Sequence, residues 1–314
     1  MFYDDIPSHP PEPDAFPAAP VDTLRVDPGV TPLSSDALTY AAAGTGISPS
    51  SAQGFKPAIP EDLQVPWSWL HFIIFLFFGF ISLIVVQGAF AIYYFPHQRL
   101  SSQSELEQFV LSKPQFAIGS MLVWYALLFL FLYVTLTVLR GSLFWRSLGW
   151  KMPNATSEGR LRSPWVYFSS GCALSLLVSA ITAKVQAPEH LPIQDIFKYK
   201  NTALLFMAMA VLVAPVVEET IFRGYLYPLL AKSFGILPGI VVTGVLFGLM
   251  HGYQLGWTLS LVATLIFVGV IFTFVRARTG TVFASFLLHL GYNSTIAFIA
   301  IVGTKGFTRI PTSP

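Results

Sequence analysis

The sequence predicts an all-α polytopic membrane protein, a bundle of about seven to eight transmembrane helices behind a disordered N-terminal tail. Hydrophobic residues make up 54% of the chain and charged ones only 11%, against about 25% charged in a soluble domain. Mean hydropathy over the 314 residues is +0.63. From Trp67 onwards, seven apolar segments are long enough, or nearly so, to cross a hydrocarbon core of about 30 Å.

Residues 1–64 are rich in Pro, Ala, Ser, Gly and Asp and show no sustained apolar periodicity. Such a stretch buries too little surface to offset the entropy of ordering, and is expected to be a disordered tail. The tail holds nine acids against only Arg25 and Lys56, so the net charge of +2 conceals a basic remainder. MFYDDIPSHPPEP has neither the basic start nor the apolar core of a secretory signal. Basic loops on such a chain are orientation signals rather than nucleic-acid patches, and no nucleic-acid partner is implied. The single cysteine, Cys172, has no partner for an intrachain disulfide.

The apolar segments run approximately over Trp67–Tyr94, Phe116–Leu139, Trp165–Ala183, Ala203–Phe222, Pro238–His251, Leu259–Val275 and Val282–Val302. The fifth is short, and residues 224–234 either extend the fourth or form an interfacial helix. Trp67, Trp69, Tyr93, Tyr94, Trp145, Trp150 and Trp165 fall near segment ends, where aromatic side chains anchor at the interface. The loop after the second segment carries Arg140, Arg146, Lys151, Arg160 and Arg162, and the loop after the first only Arg99 and Lys113. The heavier loop is expected in the cytoplasm, with the acidic tail and Arg276 and Arg278 on the same side. Lys184, Lys198 and Lys200 pull the other way.

Chemistry concentrates in the second half. Glu218 and Glu219 are the only carboxylates after Asp195, inside MAMAVLVAPVVEETIFRGYLYPLL. A charge at bilayer depth costs roughly 2.5 to 3.5 kcal/mol on insertion scales, so an adjacent pair needs a partner or a task. Arg223 stands at i+4 from Glu219, on the same helical face, and can neutralise it. Glu218 is rotated away and left without that partner, which suits it to take and return a proton. The bland alternative has both glutamates sharing Arg223 in a packing cluster. His251 closes GVLFGLMHG one turn after Phe247, and a histidine at such a segment end is, taken alone, more often an interfacial or hydrogen-bonded residue than a catalyst. His289 follows an apolar run and has Asn293 at i+4, so an imidazole and an amide share one face, where helix–helix hydrogen bonding is the alternative to catalysis.

EETIFR, FGLMH and HLGYN resemble the three signature motifs, EExxxR, FxxxH and HxxxN or HxxxD, of the CPBP (CAAX protease and bacteriocin-processing, Abi) family of intramembrane proteases. The family includes the type II CAAX prenyl endopeptidases and bacterial relatives tied to bacteriocin processing or immunity. The resemblance covers roughly residues 195–303, with no departure at the motif positions. It divides the chain into a tail (1–64), N-terminal transmembrane helices (65–194), a protease core (195–303) and a C-terminal tail (304–314). It implies that Glu218 activates a water for attack on a peptide carbonyl and that His251 helps hold that water. His289 and Asn293 would stabilise the oxyanion, and Glu219, Arg223 and Phe247 would orient the set. The family has been described as metal-dependent, so a divalent metal such as zinc on Glu218, His251 and His289 is the cofactor it allows. HExxH and GxSG are absent, and no aspartate follows Asp195 for a paired-aspartate mechanism.

The expected activity is hydrolysis of a membrane-associated peptide, prenylated CAAX-type chains included, in the lipid bilayer. With no organelle-targeting or retention signal in the sequence, a bacterial cytoplasmic membrane is the expected location. Two other classes stay open. One is a non-proteolytic immunity or scaffold protein of the same fold. The other is a proton-coupled transporter using Glu218 and the histidines as a relay, against which the lack of an internal repeat counts.

Overall fold

A computed structural model describes residues 60–95, 102–152, 163–183 and 191–307. The tail expected over residues 1–64 lies outside these up to residue 59, as do Arg99, Arg160, Arg162, Lys184 and the C-terminal tail from residue 308. The described residues contain helices and turns and no strand.

Sequence-local chemistry sets the helix boundaries. Ser68 opens α1 (Trp69–Tyr94), its hydroxyl accepting from the N–H of His71. Ser102 does the same for α2 (Gln103–Ser112), accepting from Glu105 at 3.2 Å. Pro114 sits in the first turn of α3 (Pro114–Tyr133), where its missing N–H is tolerated, and a π-helical turn carries that helix on to Val138. A short α4 (Phe144–Ser147) lies in the following loop, and Pro164 starts α5 (Pro164–Thr182). After a 3-10 turn at Pro192–Lys198 come α6 (Lys200–Leu212), α7 (Ala214–Glu219), a π-helical segment at Thr220–Leu226, and α8 (Tyr227–Phe234). The last three are α9 (Ile236–Met250), α10 (Leu259–Thr279), stopped by a left-handed Gly280, and α11 (Val282–Gly303), capped by Thr281.

Six helical spans among the described residues are long and apolar enough to cross a membrane, and α9 is a shorter apolar helix. At 1.5 Å per residue, its 15 residues reach only about 22 Å. Of the two readings of residues 224–234, the extension holds: the fourth span runs without a chain reversal from Lys200 to Phe234. Pro215 and Pro228 did not end it, because each lies in the first turn after a local change of helical register, where no N–H is required. This places Glu218 near the middle of the span.

Small residues bring the core helices together. On α9, a Cβ added at Gly244 would meet the Val270 nitrogen at 2.6 Å, and one at Gly248 would meet the Ile266 nitrogen at 2.6 Å, so α9 and α10 pack backbone to backbone. Gly171 of α5 and Gly291 of α11 lie against each other's backbones at Leu288 and Phe168.

The last residues assigned by composition to the tail are ordered. Leu63 is buried against Tyr227, Ala231 and Ile240. Asp62 accepts from Arg276 at 2.7 Å, the Val65 carbonyl accepts from Lys232 at 3.2 Å, and the Pro66 carbonyl accepts from Arg140. Trp67 is no interfacial anchor: its ring is 2% exposed and its indole N–H donates to the Tyr225 carbonyl at 3.0 Å. Residues 60–67 thus form a strap across α8 and the end of α10. Local composition missed it because its binding groups pair with residues 74 to 214 positions away.

Candidate active site

The site is assembled on α7, the π-helical segment, α9 and α11. Glu219 ends α7 and is wholly buried, as is Arg223, whose Nη1 donates to Glu219 Oε1 at 2.9 Å. The guanidinium also donates to the Gly269 carbonyl at 3.0 Å and to the Thr273 hydroxyl at 3.3 Å, and its carbon lies 4.4 Å from the centre of the Phe247 ring. A buried pair needs its remaining hydrogen-bonding capacity met, and α10 with Phe247 supplies that for the guanidinium, whereas Glu219 Oε2 is buried without a hydrogen-bond partner among the described residues. Trp150 donates to the Thr220 hydroxyl at 3.0 Å, fixing the start of the π-helical segment from outside.

Glu218 points elsewhere. Its side chain is 17% exposed and lines a cavity of about 470 Å³ together with His251, His289, Asn293 and Phe247. His289 lies between the two glutamates: Nδ1 is 3.0 Å from Glu219 Oε1, and Nε2 is 3.8 Å from Glu218 Oε2. Glu219 is already paired with Arg223, so Nδ1 carries the proton of that bond. His251 caps α9, with Nδ1 donating to the Phe247 carbonyl at 2.8 Å. The Phe247 ring stands between the two imidazoles, with centroids 4.9 Å from His251 and 5.8 Å from His289. Asn293 Nδ2 donates at 2.8 Å to the Ala210 carbonyl, in the turn where α6 breaks ahead of Pro215.

All seven residues singled out in the sequence therefore converge, but with a division of labour. Glu219, Arg223 and Phe247 form a buried frame, and Glu218, His251, His289 and Asn293 line the cavity. The sequence reading passed over Tyr125, Gln254 and Tyr292, which line the same cavity. Tyr125 was the most findable of these, as a hydroxyl within the apolar run of α3.

A metal on Glu218, His251 and His289 can be tested against this geometry. Among the described residues, no three His, Cys, Asp or Glu side chains converge closely enough to hold one ion. Glu218 and His289 provide two facing donors, whereas zinc sites take at least three protein ligands. The donor set does not fit, and no chemical step is derived through a metal.

Residues 200–295 match the family model described as type II CAAX prenyl endopeptidase Rce1-like. The chain carries a CPBP-type CAAX protease domain. No curated protein and no solved structure matches the chain. The matched residues hold every member of the frame and all four of the cavity-lining residues named above, whereas α1 to α5 and the strap lie outside them. At the level of the family, the CAAX protease domain is an intramembrane protease: an integral membrane protein acting on peptides within the lipid bilayer.

Proposed function

We propose that this chain is an intramembrane endopeptidase that hydrolyses a peptide bond by attack of a water activated by Glu218. The observation that carries the reading is the separation of the two adjacent glutamates. Glu219 is spent on Arg223 and His289, and Glu218 is the carboxylate left facing the cavity.

A water hydrogen-bonded to both Glu218 Oε2 and His289 Nε2 is geometrically allowed, since two bonds of about 2.8 Å span a 3.8 Å separation when they meet at the water at close to a right angle. The Nδ1–H of His251 is committed to Phe247, so Nε2 is left as an acceptor for one of that water's hydrogens. Glu218 takes the proton as the oxygen attacks the carbonyl carbon, then returns it to the leaving amine as the C–N bond breaks. The oxyanion formed between these events is met by the second N–H of Asn293, the first being held by Ala210, and by Nε2 of His289 when that ring carries a proton on each nitrogen. Glu219 holds His289 in register, and Arg223 and Phe247 hold Glu219.

The proposed substrates are membrane-associated peptides, with prenylated CAAX-type chains among those to be tried, and the proposed location is a bacterial cytoplasmic membrane. The proposed protease core is 195–303, with 65–194 as the accompanying helices. The test is cleavage of a pooled set of membrane-spanning and prenylated peptides by purified protein in liposomes, read by mass spectrometry. Glu218→Gln should lower turnover by at least about 100-fold with an unchanged melting temperature. Equal cleavage by the two proteins would sink the proposal.

A further inference from the structure

A second cavity of about 480 Å³ adjoins the one holding Glu218. It is formed by the end of α1, by α2, by the start of α3 and by the segments around Ile193 and Gln254. Ile193 and Gln254 line both cavities, so the two meet at this pair. Its volume is well inside the roughly 300–1,000 Å³ of sites that take organic ligands.

Three ties brace its walls. The Ile193 N–H donates to the Gln254 carbonyl at 3.2 Å, joining the two segments at the boundary. Thr202 donates to the Leu111 carbonyl at 2.8 Å, anchoring the end of α2 to the start of α6. Gln87 donates to the Ser120 hydroxyl at 3.3 Å, joining α1 to α3. Phe95 and Phe116 stack with centroids 5.5 Å apart. The chamber is therefore braced from several elements rather than left over between loosely packed ones.

Leu106, Val110, Phe116 and Ile196 give the chamber an apolar wall, and Gln254 stands at its junction with the catalytic cavity. Among the described residues, the side-chain amide of Gln254 forms no hydrogen bond. An amide that can both donate and accept suits a passing peptide backbone, which offers both groups at every residue, whereas a hydrocarbon chain offers neither. We propose that this chamber is a substrate subsite: it takes large apolar side chains of the peptide on one side of the scissile bond, while Gln254 pairs with the backbone between them. The inference rests on the protease reading and adds a specificity element from α1, α2 and α3, outside the matched domain.

The experiment compares peptides in liposomes that differ at single positions flanking the cleaved bond, Leu or Phe against Ser or Asp. Wild-type protein should favour the apolar residue on one side by about tenfold to a hundredfold in kcat/KM. Val110→Trp, which fills the chamber, should reduce that ratio to near one. A wild type indifferent to these residues, or a Trp variant keeping the full preference, overturns the subsite.

A second measurement does not depend on hydrolysis or on the folding of the Trp variant. A peptide with a photoreactive apolar side chain is crosslinked to wild-type protein and to Glu218→Gln, and the adducts are mapped by mass spectrometry. Adducts on residues 87–95 or 106–116 that are removed by excess unlabelled apolar peptide support the subsite even if no peptide is cut, in which case only the protease reading fails. Adducts that are absent, or displaced by phospholipid or a free isoprenoid but not by peptide, overturn it.

Discussion

The two glutamates invite opposite consequences from the same substitution. Glu219→Gln would leave the Arg223 guanidinium, wholly buried, without its ion-pair partner, and breaking such a pair from one side costs about 3–5 kcal/mol. That is a substantial fraction of the roughly 5–15 kcal/mol that holds a typical domain. The expected outcome is a large fall in melting temperature and in the yield of folded protein, measured by thermal unfolding in detergent, where Glu218→Gln melts like the wild type. Equal melting of Glu219→Gln would mean that Gly269, Thr273 and the Phe247 ring suffice to hold the guanidinium. The i, i+4 spacing made the Glu219–Arg223 pair legible in the sequence. The placement of His289 between the glutamates was not, because which ring nitrogen meets which carboxylate depends on how α11 lies against α7. The second donor role of Asn293, to Ala210, was hidden for the same reason.

At the level of elements, the sequence left residues 224–234 open between an extension of the fourth span and a separate interfacial helix, and the structure extends the span. The spacing from Glu219 to Arg223 is helical, but Gly224 and Pro228 look like the end of a helix, and the chain instead changes register through Thr220–Leu226 and continues. π-helical insertions inside α-helices are frequent at functional sites, since they redirect side chains without ending the helix. Gly224 has a packing task here: a Cβ at this position would lie 2.7 Å from the Leu148 carbonyl oxygen, with backbone on the opposing side. Gly224→Ala should therefore force the π-helical segment away from the loop that carries Trp150, whose indole bonds to Thr220. We expect a lower melting temperature together with reduced turnover by the variant. The outcome against the argument is a variant that melts at or above the wild type, as alanine's better helix propensity alone would give. The short α9 was legible from its length, and the strap at residues 60–67 was not, since nothing in PEDLQVPW advertises partners on α8 and α10.

Seen as a whole molecule, the helices alternate between two ends, and contacts identify which loops share an end. Asp62 with Arg276, Val65 with Lys232, Pro66 with Arg140 and Trp69 with Ser233 gather the strap, the loop after α3 and the turn after α8 at one end. Thr202 with Leu111, Ile193 with Gln254 and Phe197 with Phe307 gather the other. The two cavities meet at Ile193 and Gln254, at this second end, remote from the strap. The order of the apolar segments made this alternation legible, but only the run of the fourth span through Phe234 lets Glu218, in mid-span, share a cavity with His251 at the end of α9. The loop after α3 carries the denser cluster of Lys and Arg, which predicts the strap end in the cytoplasm. The meeting point of the cavities then faces the opposite side of the membrane, and peptides would approach from there. Cys172 is the chain's one thiol, so a Cys172→Ser background allows single reporters at Leu143 on the strap end and at Tyr253 on the other, both exposed. In intact cells, a membrane-impermeant maleimide should label Tyr253→Cys and spare Leu143→Cys until the membrane is opened. The reverse pattern would turn the molecule over, put the cavities within reach of the cytoplasm, and show that Lys198, Lys200 and Lys305 outweigh the loop after α3 in setting orientation.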